Sequence, residues 1–96
     1  MPELRFQIRW PDGTLESCYS PSRVVKDHLC AGKSYALQDF LSISRTALSA
    51  ASERVREKYG TPCSLALGQI VRLETASRAF ASRADARVTI ESFQDG

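Results

Sequence analysis

Residues 4–13 constrain the fold more than any other stretch of this chain. Leu4, Phe6, Ile8 and Trp10 alternate with Arg5, Gln7 and Arg9. That period of two gives one apolar and one polar face, the pattern of a strand lying on a core. Pro11-Asp12-Gly13 follows with turn chemistry: proline presets φ, the aspartate bonds nearby backbone, and glycine accepts a positive φ. The chain returns over 14–19, so the first element is a β-hairpin. A second alternation sets Ala86, Val88 and Ile90 against Arg87, Thr89 and Glu91 and predicts a strand over 86–92. Phe93 falls out of that register, so the strand is expected to bend or end before it, with Gln94-Asp95-Gly96 as a frayed tail. Two strands alone make a marginal sheet, so the C-terminal strand belongs at the edge of the hairpin.

The middle of the chain reads as helices. Ser20-Pro21-Ser22 supplies capping hydroxyls and a first-turn proline. A short helix is expected over 23–29, with Val24, Val25 and Leu29 inward and Gly32 as its left-handed stop. Leu37, Phe40, Leu41, Ser44, Ala47, Leu48, Ala51, Val55 and Tyr59 then recur at steps of three and four, an amphipathic helix of about six turns. Ser34 is its expected cap and Gly60 its C′ residue. Its small residues Ser44, Ala47 and Ala51 predict a close helix crossing. A second long helix starts near Cys63-Ser64, with Ala66, Ile70, Leu73, Ser77 and Phe80 inward and Leu67 and Val71 alongside. Gly68 is expected to meet the small-residue stretch of the first. The order is ββαααβ: one α+β domain over residues 1–96, a three-stranded antiparallel-type sheet with one short and two long helices on one face.

Bulk properties narrow the class. At 96 residues there is room for one core, and a chain this short buries only about 60–65% of its unfolded surface. Self-association, as a homodimer, is a natural supplement. Thirteen basic and 11 acidic residues leave a net charge of +2, which gives no push toward nucleic acid or a membrane. Met1-Pro2-Glu3-Leu4-Arg5 opens no charged segment leading into an apolar run, so a cytoplasmic protein is expected. Three cysteines, Cys18, Cys30 and Cys63, are an odd number at wide spacing and read as free thiols.

Chemistry is sparse in this chain. Cys18, His28, Cys30 and Cys63 are the right types for a zinc site, yet show no CxxC or HxxxH spacing. Buried or half-buried thiols with a surface histidine are the better account, and no cofactor site emerges. Of the three thiols, Cys63 at a helix start is the one to test for reactivity. A Cys–His nucleophilic pair must use His28, the sole histidine, and no carboxylate is evident to orient it. Gly32-Lys33-Ser34 resembles the end of a phosphate loop, but Asp27 stands where its first glycine belongs. Arg5 and Arg9 line the open sheet face with no stacking aromatics between them, which argues against nucleic acid. Arg5, Arg9, Trp10, Tyr19 and Tyr35 form the candidate partner surface, the aromatics being amphipathic contact residues.

Several segments carry a family resemblance: Arg9-Trp10-Pro11-Asp12-Gly13, Cys18-Tyr19-Ser20-Pro21-Ser22, Val24-Val25-Lys26-Asp27, Arg54-Val55-Arg56-Glu57-Lys58-Tyr59-Gly60 and Cys63-Ser64-Leu65-Ala66-Leu67-Gly68-Gln69. Together they resemble a small bacterial family of nitrogen starvation response proteins. The resemblance implies genes kept beside those of a nitrilase, a radical-SAM protein and an acetyltransferase-like protein, a cluster linked to nitrile or cyanide nitrogen. It brings no activity and no catalytic residues. Cys18 and Cys63 fall inside the matching segments, whereas His28 and Cys30 fall outside them. The expectation is a non-enzymatic accessory or interaction protein whose partner is itself or an enzyme of that cluster. Two alternatives stand beside it: a small-molecule or metal-binding enzyme subunit using Cys18 and Cys63, and a nucleic-acid-binding regulator.

Overall fold

The computed structural model describes residues 3–95; the expected opening Met1-Pro2 and the tail's Gly96 lie outside them. Strands β1 (Leu4–Arg9) and β2 (Leu15–Ser20) form the hairpin. Its turn closes as the sequence chemistry requires. Gly13 takes φ +90°, its N–H donates to Trp10 O at 2.8 Å, and Thr14 N–H donates to Asp12 Oδ1 at 3.0 Å. Leu4, Phe6 and Ile8 are fully buried while Arg5 and Arg9 are exposed, so the alternation of β1 does separate a core face from an open one.

The sheet has four antiparallel strands in the order β2-β1-β4-β3, not three. The added strand, β3 (Ser34–Ala36), occupies the far edge of β4 (Arg87–Asp95). Ser34 is therefore strand rather than helix cap. The loop before it already bonds to β4, Gly32 N–H donating to Ile90 O at 2.6 Å and Ile90 N–H to Lys33 O at 3.0 Å, and the backbone continues that pairing. Three residues are too few to show a period of two. Tyr35 turns inward from β3, and its hydroxyl accepts from Cys30 N–H at 2.9 Å.

β4 runs three residues past the expected end, and a bulge explains how. Ile8 pairs with Ile90 but Gln7 pairs with Ser92, which leaves Glu91 as the extra residue. One extra residue flips the phase of everything after it. Phe93, out of register in sequence, thus lies across from Phe6 with ring centroids 6.3 Å apart.

The helical layer covers one face. The short helix expected over 23–29 is a 3₁₀ turn at Arg23–Asp27, capped by Ser22 Oγ accepting from Val24 N–H at 3.2 Å. Helix α1 (Leu37–Tyr59) buries Phe40, Ser44, Ala47, Leu48 and Ala51. It ends at Gly60, whose φ of +88° lets its N–H return to Arg56 O at 2.8 Å; a side chain there would be strained. Helix α2 (Ser64–Ser77) runs back antiparallel, as Ser52 Oγ accepting from Cys63 N–H and the Arg45–Glu74 ion pair show. A 3₁₀ turn, Arg78–Phe80, completes it, with Phe80 stacked 5.8 Å from Trp10.

Candidate interaction surface

Two of the five expected surface residues are core. Trp10 is 4% and Tyr35 8% exposed, because Trp10, just past the end of β1, and Tyr35, in β3, both turn into the core. Trp10 packs edge-on against Phe40 at 6.1 Å and donates from Nε1 to Glu16 Oε1 at 3.0 Å. Arg5, Arg9 and Tyr19 remain on the open face of the sheet. Arg5 lies 5.9 Å over the Tyr19 ring across the β1–β2 pair, and Arg9 is held in an ion pair with Glu91. This face carries polar and charged side chains.

The cysteines separate by environment. Cys18 is buried, Cys63 half-buried and Cys30 exposed. Burial pushes the Cys18 thiol up to about 12, with the nearby Glu16 carboxylate adding to the effect. A thiol kept protonated that far into alkali is a poor nucleophile at neutral pH. Among the described residues no three His, Cys, Asp or Glu side chains are grouped to hold a metal ion. His28 caps the 3₁₀ turn at Arg23–Asp27. Cys63 opens α2 and lines a groove of about 260 Å³ with Glu3, Tyr19, Pro21, Val55 and Tyr59. Partial burial raises the Tyr19 phenol above its ordinary value, assisted by Cys63 and Glu3. The groove offers a thiol and phenols but no histidine.

The match to known families now applies to a described fold. The family model for the nitrogen starvation-induced protein NitG matches residues 5–93. The chain belongs to the NitG family. No curated protein and no solved structure matches it. For this NitG-family chain the informative surface is one that the sequence periodicity hid. The large hydrophobic residues exposed among the described residues are Leu15, Tyr59, Leu65, Leu67 and Val71. All but Leu15 fall in the α1–α2 hairpin. Leu67 and Val71, expected alongside the inner stripe, are 45% and 61% exposed. Gly68, expected against α1, is exposed too, and a Cβ placed on it would meet nothing within 4 Å. The nearest buried small residue of α2 is Ala66, two positions and about 200° away on the helix. A signal was present in the sequence: α2 carries more apolar residues than one stripe can hold.

A bidentate contact fixes this helix to the sheet. Arg72 Nε and Nη2 donate to Glu16 Oε2 and Oε1, each at 3.1 Å, while Gln69 Oε1 accepts from Tyr19 N–H at 2.9 Å. The second of these occupies an outward N–H of edge strand β2, which would otherwise invite another strand. Among the described residues no helix is long and apolar enough to cross a membrane.

Proposed function

We propose that this NitG-family chain is a non-enzymatic accessory protein of the nitrogen-starvation response, acting in the cytoplasm through contacts with other proteins. The observation that carries this reading is that four of the five large hydrophobic residues exposed among the described residues, Tyr59, Leu65, Leu67 and Val71, fall in one helical hairpin. Scattered apolar residues on a surface need no explanation, whereas a concentration of them marks a contact surface. The gene neighbourhood implied by the resemblance makes an enzyme of nitrile metabolism, nitrilase-type or radical-SAM, the first client to try.

The test mixes the purified chain with each enzyme and follows both by sedimentation velocity. A faster boundary containing both proteins is the expected result. Separate boundaries with both enzymes, at concentrations well above micromolar, would overturn the proposed client.

A further inference from the structure

We infer that the cavity between the β3 edge and the start of α1 binds a small amino acid of the acidic kind, a zwitterion with two carboxylates and one ammonium. It lies at the opposite edge of the sheet from β2 and shares no residue with the apolar surface above. Its failure would therefore leave the proposed accessory role untouched. The cavity holds about 390 Å³, within the range of small-molecule sites, about 300–1,000 Å³.

Its two walls differ in charge. The sheet wall supplies Lys33, just before β3, and Arg87, the first residue of β4. The helix wall supplies Asp39, Ser42 and Ile43, whose spacing of three and four places them on one side of α1. Both cations are held by neutral groups. Arg87 donates from Nε to Ser34 Oγ at 3.0 Å and from Nη2 to Ser34 O at 2.9 Å, which engages two of the five N–H donors of a guanidinium. Lys33 Nζ lies 5.2 Å from the centre of the Tyr35 ring, and that ring is fixed by burial and by the bond from Cys30. Elsewhere Arg9, Arg45, Arg56 and Arg72 each meet a glutamate. In this cavity opposite charges stay apart: among the described residues neither Lys33 nor Arg87 forms an ion pair, and neither does Asp39.

Charge selects the ligand. Two cations stand on one wall and one carboxylate on the other, so the complement carries two negative groups and one positive. An inorganic anion or a plain dicarboxylate would satisfy the sheet wall but meet Asp39 with like-charge repulsion. An acidic amino acid satisfies both: its carboxylates go to Arg87 and Lys33, its ammonium to Asp39, and its methylenes lie along Ile43. The spare donors of the arginine fork suit a carboxylate, and Ser34, whose Oγ already accepts from Arg87, keeps its O–H to donate. Lys33, Asp39 and Arg87 are exposed, so binding is expected at about millimolar strength and weakens with salt.

Backbone N–H chemical shifts, followed by NMR on the full chain at low salt, test this with glutamate, glutarate and inorganic phosphate as probes. Glutamate is expected to move the signals of residues 33–36, 39–43 and 87, with glutarate and phosphate bound about tenfold more weakly. Lys33→Gln should weaken glutamate severalfold. Asp39→Asn should erase the preference, bringing glutamate and glutarate to similar affinity. Both side chains are exposed, so neither variant threatens the fold. An absence of localised shifts at tens of millimolar glutamate overturns the inference. So does glutarate or phosphate binding as tightly as glutamate, which marks a plain anion site, and so does glutamate binding that both variants leave unchanged.

Discussion

Helices α1 and α2 both begin as amphipathic sequences, yet they dispose of their apolar residues differently. In α1 the residues Leu37, Phe40, Ala47, Leu48 and Ala51 are buried, Leu41, Ile43 and Val55 are half-buried, and Tyr59 alone is exposed, at the last position. In α2 the apolar residues buried are only Ala66 and Leu73, with Ile70 and Ala76 half-buried, while Leu65, Leu67 and Val71 stand out in solvent. α1 packs against the 3₁₀ turn at Arg23–Asp27, β3, β4 and α2, so neighbours cover it on several sides. α2 lies toward the hairpin edge, against α1 and β2, and only a narrow stripe is covered. Its attachment leans on polar groups, Arg72 on Glu16 and Gln69 on the Tyr19 backbone. The apolar content of a helix therefore does not measure its burial.

The largest test of this contrast substitutes one leucine in each helix. Leu48→Ala, at a fully buried site, is expected to cost about 2–5 kcal/mol from lost burial and the cavity left behind. Leu67→Ala is expected to change stability by no more than about 0.5 kcal/mol. Urea unfolding of dilute, monomeric protein reads both values. Equal losses would show that α2 is as deeply anchored as α1 and would break the comparison.

Alkaline titration sharpens it. Cys18 is buried on β2, the strand against which α2 packs, so its burial reports on that contact. Its thiol is raised in the folded state from an ordinary 9.0 to about 12. Below pH 9 both folded and unfolded chains keep the proton and the stability is intact. Above it the unfolded chain ionises first, so stability falls by about 1.4 kcal/mol per pH unit until the folded thiol also titrates, about 4 kcal/mol in all. Cys18→Ala should flatten that slope in urea unfolding measured from pH 8 upward. An unchanged slope in the variant would mean that other groups carry the alkaline loss.

The sequence shows the hairpin, both long helices and the Gly60 stop because each is written in local periodicity or turn chemistry. It hides what depends on tertiary pairing. β3 is three residues recruited by the free edge of β4, and the bulge at Glu91 exists only relative to Gln7 and Ile8 on another strand. Trp10 and Tyr35 look like contact residues because aromatic chemistry suits both surface and core; only packing against Phe40 and Phe80, or a bond from Cys30, decides. The candidate surface was less legible still. Leu67 and Val71 belong to the same apolar count as Ile70 and Leu73, and nothing local says which half of that count faces out.

Two serines give the smallest test and differ in sign. Ser44 in α1 is buried, and its Oγ finds no partner among the described residues. Ser77 ends α2, is buried as well, and donates from Oγ to Glu74 O at 2.7 Å. Burying a hydroxyl without a bond costs about 1–3 kcal/mol, whereas a satisfied one contributes about 1 kcal/mol net. Ser44→Ala removes an unmet polar group and puts the best helix former in its place, so it should stabilise the chain by about 1 kcal/mol. Ser77→Ala removes a bond that ties the last turn of α2 and should cost about the same amount. Shifts of urea midpoint at constant slope measure both. Opposite signs follow from α1 being held by apolar packing, where a stray hydroxyl is a defect, and α2 by polar ties, where each one matters. Two losses would place a bonding partner on Ser44 and make the helices alike.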